Sequence, residues 1–225
     1  MFARICTLQS ETTMDGDLYR TNLSADEALQ SLVSGNERFR TGTTRSSKLT
    51  PAELAKLAYG QQPFATILGC SDSRVVPELI FDADLGELFV VRVAGNVLSP
   101  EGEGSLQYAG SHLHTPLFVV MGHEGCGAVS AALATRDHGA QPKSRIQVLV
   151  NSILPSLPDL DPDSSPEARL SKAIETNVRF TVRKIHESPE GQVRHAEGRM
   201  KVVGAIYDIG TGRVRFLNQE TAASV

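Results

Sequence analysis

Two cysteines and one histidine are the residues of this chain best able to do chemistry. Cys70 opens Cys70-Ser71-Asp72-Ser73-Arg74, and His123-Glu124-Gly125-Cys126 supplies the other two. Cys70 and His123 each directly follow a short apolar run of the kind that forms a buried strand. Two thiolates and one imidazole make a three-ligand zinc site with a fourth position to spare. Structural zinc is normally closed by four strong ligands, whereas catalytic zinc keeps one position for water. The H-x2-C spacing lets two side chains of one tight turn reach one ion. A thiol near the start of a helix, as expected for Cys126 before Ala128, ionises more readily because unpaired amides and the helix dipole favour the thiolate. Taken singly, a cysteine flanked by apolar residues is usually a small core residue; the combination points to a metal.

Asp72 and Arg74 lie two and four residues beyond Cys70. In an extended segment all three side chains would project to one side. Asp72 then has two open roles. It can accept a hydrogen bond and orient the group bound at the fourth metal position, or it can become the fourth ligand and close the site. Arg74 can hold Asp72 in a bidentate fork and keep it ionised. An ordinary strand-end ion pair is the plainer alternative. Two thiolates neutralise a divalent zinc ion, so the metal is a poorer Lewis acid than one held by three imidazoles, and activity is expected to improve at alkaline pH. Rival motifs fail. Arg74 is too close to Cys70 for the C-x5-R loop of a cysteine phosphatase, and neither a G-x-G-x-x-G after a strand nor a P-loop lysine occurs.

The elements that must position these groups are legible as alternating runs. Residues 64–69, 88–93, 117–122 and 202–207 are apolar without polar alternation, which suits a parallel sheet buried on both faces. Helical segments are expected at 104–114, 128–134, 144–154 and 166–187, the last with Leu170, Ile174, Val178 and Ile185 on one face. Val214-Arg215-Phe216-Leu217, after Gly210-Thr211-Gly212, reads as an antiparallel edge strand. Ahead of the sheet, Ser24 and Glu27 form a capping box for a helix carrying Ala28, Leu29, Leu32 and Val33. Gly, Thr and Ser at 41–48 break it. Thr50-Pro51 opens a second helix with Leu54 and Leu57 facing inward. Residues 155–163 read as a loop. In open α/β sheets functional groups gather beyond the carboxyl ends of the strands, where both Cys70 and His123 fall. The expected division is a flexible segment over 1–22, a helical arm over 23–60 and a zinc-binding α/β core over 61–225, with the arm and core as a single domain.

Bulk composition bounds the rest. The 225 residues suffice for one good-sized α/β domain, and a net charge of −4 with no dense basic block gives no reason to expect nucleic acid. Three cysteines, Cys6, Cys70 and Cys126, are too few and odd for a disulfide framework and indicate a reducing compartment. Cys6 reads as a bystander. No secretory h-region and no membrane-spanning run is evident, so no membrane partner and a cytoplasmic location are expected.

The chain resembles the β-class carbonic anhydrases, zinc enzymes that interconvert carbon dioxide and bicarbonate. The likeness runs from about residue 25 to the C-terminus. It rests on Gly35-Asn36-Glu37-Arg38-Phe39, Gly60-Gln61-Gln62-Pro63-Phe64, Cys70-Ser71-Asp72-Ser73-Arg74-Val75, Glu78-Leu79-Ile80-Phe81-Asp82, residues 89–96 (FVVRVAGN), Gly122-His123-x2-Cys126-Gly127-Ala128 and residues 202–208. The resemblance implies Zn2+ held by Cys70, His123 and Cys126, and hydroxide oriented by Asp72 under the control of Arg74. In some members Arg74 releases Asp72 to the metal. It implies a plant-like pocket of Gln61, Phe89 and Tyr108, with the Gly127 N–H facing the substrate. The tryptophan-dependent inhibitory bicarbonate site of a second subgroup has no counterpart, as the chain contains no Trp. Some members carry a proton-shuttling histidine where this chain has Val119, so proton export is unassigned; His112 and His114 are nearby in sequence. Glu124 and Gly125 occupy the two variable positions of the histidine-cysteine turn. A homodimer or larger homo-oligomer, with the N-terminal helix reaching over its neighbour and the pocket between subunits, is also implied. Two other functions stay open: a carbonyl sulfide or carbon disulfide hydrolase of the same fold, and a non-catalytic zinc-binding interaction module.

Overall fold

The computed structural model describes residues 23–45, 50–139, 143–161 and 163–217. The expected N-terminal segment, with Cys6, lies outside them. Five strands form one sheet in the order β2-β1-β3-β4-β5: β1 (Ala65–Gly69), β2 (Leu88–Arg92), β3 (Leu117–His123), β4 (Lys201–Tyr207) and β5 (Val214–Phe216). The first four are parallel and β5 is antiparallel to β4. Every residue of β1 and β3 is buried, as unbroken apolar runs require.

Side chains alternate between faces with period two, so one sheet feeds two apolar layers. Leu68, Phe118, Val120, Val202 and Ile206 join one cluster. It is covered by α4 (Pro100–Ser111), α5 (Gly127–His138), α6 (Ile146–Ile153) and α7 (Pro166–Glu187). Ala65, Ile67, Leu117, Val119, Met121, Val203 and Ala205 face the other way, onto α1 (Ala25–Thr41) and the single turn α3 (Pro77–Ile80). Helix α1 has the expected capping box of Ser24 and Glu27, and it ends where Gly42 takes a left-handed φ of 68°. It packs closely on its own chain. A Cβ on Gly35 would lie 1.8 Å from the Phe81 carbonyl oxygen, so only glycine fits. Buried Asn36 donates to the Ile80 and Gly212 carbonyls and accepts from the Val214 N–H.

Several expected boundaries shift for local reasons. Helix α4 starts at Pro100, not 104, because Ser99 caps it by accepting from Gly102 N–H and Pro100 suits the first turn. Helix α5 runs on to His138 and stops at left-handed Gly139. Residues 144–154 resolve into α6 and a 3-10 turn over Leu154–Ser156. Helix α7 coincides with the expectation. Helix α8 (Pro189–Ala196), capped by Ser188, and α3 were not anticipated, being short elements without strong apolar periodicity. The inward-facing expectation for α2 (Pro51–Leu57) is corrected: no residue of α2 is buried, and Leu54 is 47% exposed. The helix is well capped by Thr50 and Glu53 but has little of its own chain to pack against. No helix among the described residues is long and apolar enough to cross a membrane.

Candidate metal centre

The three candidate ligands meet at the carboxyl edge of the sheet. Strands β1 and β3 are neighbours in parallel register, with Gly69 opposite Met121. Cys70 therefore leaves β1 beside the last residues of β3, of which His123 is the final one. The chain crosses from β1 to β2 on one side and returns to β3 on the other, a topological switch point of the kind where open sheets bind ligands. Gly125, at φ 69°, turns the chain back. Cys126 then caps α5, as the sequence indicated. The Cys70 and Cys126 sulfurs and a His123 ring nitrogen all lie within 4.8 Å of one another, and all three residues are buried.

The surroundings of this cluster fit a cation. His123 is 0% exposed, and its Nε2 has no hydrogen-bond partner. An unpartnered polar atom in the interior costs about 1–3 kcal/mol, so the ring is arranged for something other than a protein group. Its Nδ1 lies 3.0 Å from the Glu124 carbonyl oxygen, a contact that fixes a donor there and leaves Nε2 with a free lone pair. The Cys70 thiol is pushed down to about 4, first by the hydrogen bond from Cys126 and then by contacts from His123 and the Gly95 N–H. Cys126 is pushed up by the same contact with Cys70 and by burial. Burial opposes protonation of His123, but the negative Cys70 sulfur outweighs it and raises its pKa. Two buried sulfurs and a buried imidazole match the softness and ligand set of zinc.

Asp72 and Arg74 meet in the expected fork, through a different backbone. Residues 73–74 form a turn, not the extended run inferred from sequence. Arg74 folds back, its backbone N–H donating to Asp72 Oδ1 at 3.0 Å while Nε and Nη2 donate to Oδ1 and Oδ2 at 2.9 and 2.7 Å. Val75 N–H closes the turn onto the Asp72 carbonyl. These bonds from Arg74 hold the carboxyl well below the usual carboxylate range. Asp72 Oδ2 lies 4.0 Å from His123 Nε2, so the fork holds the carboxylate at the edge of the ligand cluster.

Of the other expected residues, Phe89 and Tyr108 face each other, their ring centroids 6.1 Å apart, and Tyr108 stacks on His112 at 4.8 Å. Gly127 is the first residue of α5, and a Cβ there would meet nothing within 4 Å. Gln61 lies elsewhere, in a groove of about 590 Å³ lined also by Lys56, Tyr59, Leu85 and Glu87. None of the three candidate ligands lines it. Val119 is 1% exposed inside β3, no place for a group that exchanges protons with solvent. Glu124 accepts a hydrogen bond from Ser171 of α7.

Three supporting residues escaped the sequence reading. Arg92 ends β2 opposite Gly69 and donates to the carbonyls of Cys70 and Asp72, clamping the ligand loop. Gly95 N–H donates to Cys70 Sγ at 3.3 Å. Asn177 of α7 donates to the Gly95 carbonyl. The available signal was an amide side chain beside Ile174 and Val178 on an otherwise apolar helix face.

A family model described as carbonic anhydrase matches residues 65–214, a span holding all three ligands and the Asp72–Arg74 pair. Carbonic anhydrase 2 of Mycobacterium tuberculosis is 38% identical over 193 residues, 85% of this chain and 92% of that protein. A β-carbonic anhydrase from Coccomyxa, solved with acetazolamide, aligns with a TM-score of 0.67 at 28% identity, over 84% of this chain and 86% of that one. One from the ascomycete Sordaria macrospora, described among two tetrameric β-carbonic anhydrases, aligns with a TM-score of 0.68 at 25% identity, over 84% and 96%. A buried Cys-His-Cys cluster, a forked Asp-Arg pair at its edge and these matches have one common explanation: the chain belongs to the carbonic anhydrase family, in its β class.

Proposed function

We propose that this chain catalyses the reversible hydration of carbon dioxide to bicarbonate and a proton. The observation that carries the reading is the unpartnered Nε2 of fully buried His123, set among two sulfurs with Asp72 4.0 Å away. Zinc bound there would supply a Lewis acid that makes water a nucleophile, more readily at alkaline pH because two thiolates already balance its charge. Cys70, His123 and Cys126 would hold the ion. Asp72 accepts a hydrogen bond from the attacking water and so fixes the lone pair that meets the CO2 carbon. Arg74 keeps Asp72 ionised and at its post. In this reading the Gly127 N–H, at the start of α5, donates to a substrate oxygen, aided by the positive end of the helix. Phe89 and Tyr108 provide an apolar wall that suits a molecule without charge, and Gln61 binds a substrate or product oxygen, as in the plant-like subgroup.

The remoteness of the Gln61 groove from the ligand cluster supports a pocket completed by a second copy of the chain. Tyr59, 84% exposed, Leu85, 55%, and Leu54, 47%, surround that groove or lie on the helix beside it. Apolar surface gathered in this way is commonly an interface. A homodimer is the smallest unit that covers it, and the description of the Sordaria relatives as tetrameric fits dimers pairing further. A cytoplasmic location agrees with a count of three cysteines, too few and odd for a disulfide framework. Residues 23–60 and 61–225 act together as one catalytic domain in this reading.

The test is stopped-flow CO2 hydration on a reduced, zinc-quantified sample, run beside sulfide release from carbonyl sulfide and carbon disulfide. Hydration that scales with zinc content is the expected result. Sulfide release without hydration would assign the other gas chemistry, and neither activity in a zinc-loaded sample would leave a binding module.

A further inference from the structure

Helix α7 sends one buried amide toward the ligand cluster. Asn177 is 2% exposed, and both ends of its side chain are engaged. Nδ2 donates to the Gly95 carbonyl at 2.9 Å. Oδ1 lies 3.1 Å from the Ser156 hydroxyl, whose one proton it shares with the Ile153 carbonyl oxygen at 2.7 Å. Gly95 in turn donates its own N–H to Cys70 Sγ at 3.3 Å. A line of hydrogen bonds therefore runs from Asn177 of α7, through Gly95, to a sulfur of the candidate cluster more than a hundred residues away in sequence.

The weak link in that line is Gly95. It sits at φ 70° inside the 3-10 turn of residues 94–96, where a Cβ would come within 2.8 Å of Ile153 Cδ1. Glycine is required there, but glycine is also the residue least able to hold its own peptide planes in place. The turn contributes one backbone bond, from Asn96 N–H to the Val93 carbonyl. Something outside the turn has to fix the direction of the Gly95 N–H.

We infer that Asn177 is a positioning residue for the metal centre: by anchoring the Gly95 carbonyl it restrains the φ and ψ of Gly95, through which the preceding peptide presents its N–H to Cys70 Sγ, and thereby sets how much charge that sulfur gives the metal. The inference rests on the zinc reading above. An amide hydrogen bonded to a thiolate draws charge off the sulfur and weakens it as a donor, and partners of this kind tune metal affinity as strongly as they orient ligands. Ser156 holds the far end of the Asn177 amide and should matter in the same direction, less strongly.

A purely structural role, filling the core and satisfying one carbonyl, would affect stability but not the electronic state of the sulfur. Cobalt(II) in place of zinc separates the two, because its near-ultraviolet thiolate-to-metal charge-transfer band reports donor strength. In the full-length protein, Asn177→Leu keeps the branching of the side chain and removes the donor. The expected result is a band moved to longer wavelength and, because a sulfur freed of its amide donor gives the metal more charge, zinc released to a chelator roughly 10-fold more slowly. Ser156→Ala should shift both in the same sense by less. Thr181→Val, at a buried position one turn further along α7, should leave the band in place. Wild-type band positions and release rates in both Asn177→Leu and Ser156→Ala would overturn the inference. If Asn177→Leu does not fold, an unshifted Ser156→Ala overturns it alone. A wild-type protein that binds neither metal would bring down the zinc reading and this inference with it. Unshifted variants of a metal-loaded wild type would sink only the inference.

Discussion

At the scale of single residues, the proposed chemistry divides the cluster into groups that would hold the metal and groups that would act beside it. Cys70→Ser or His123→Ala should lose zinc and hydration together, since each removes a ligand from a set of three. Asp72→Asn should keep zinc and lose turnover by about 10²-fold, as expected when a reacting group is no longer oriented. Metal analysis beside hydration kinetics checks both, and full turnover in Asp72→Asn would remove Asp72 from the mechanism. Because Arg74 holds Asp72 far below the ordinary carboxylate range, a fall in turnover between alkaline and weakly acid pH belongs to some other group. The ligands were legible in sequence because cysteine and histidine at strand ends are rare and their spacing is informative. Their supporting partners were not. Arg92, Gly95 and Asn177 act through backbone atoms of residues distant in sequence, and no residue type or spacing encodes such contacts locally. The turn at 73–74 was missed because an Asp two residues before an Arg is equally compatible with an extended segment.

At the scale of elements, the sheet was legible because a strand buried on both faces must be apolar throughout, and long α7 because its stripe covers many turns. Short α3 and α8 present too few turns for periodicity to show. The junction of α1 with the α3 turn depends on charge more than on pattern. Asp82, at φ 46°, accepts from Arg38 Nε and from the Arg45 backbone N–H, and its side chain is only 8% exposed. Burial opposes ionisation of Asp82, yet the Arg38 hydrogen bond and the nearby positive charges outweigh it, and its pKa is lowered. The folded pKa is thus below the unfolded one. The stabilisation is complete above the ordinary value of 3.8 and disappears as pH falls through the lower folded value. Asp82→Asn tolerates the same backbone conformation. It should cost about 1–2 kcal/mol at neutral pH, the modest figure reflecting an Arg38 side chain one-third exposed. Denaturant titrations of the two proteins should converge in acid; a difference that persists undiminished there would show that the charge is not what Asp82 contributes.

At the scale of the whole molecule, one chain assembles the ligand cluster but separates it from Gln61 and leaves α2 without buried contacts. The capping of α2 could be read from Thr50, Pro51 and Glu53, but what covers it could not, since Leu54 carries the same apolar signal whether it packs within a chain or between two. Light scattering should find a dimer or a multiple of it, and Tyr59→Asp with Leu54→Asp should weaken assembly and hydration while leaving zinc in place. A fully active monomer would refute the shared pocket. The central claim concerns the ion itself, and it is tested most directly by titrating zinc into reduced, metal-free protein while following CO2 hydration at mildly alkaline pH. Turnover should rise in proportion to zinc and level off at one equivalent per chain. Stoichiometric zinc uptake with hydration no faster than the buffer would contradict the account.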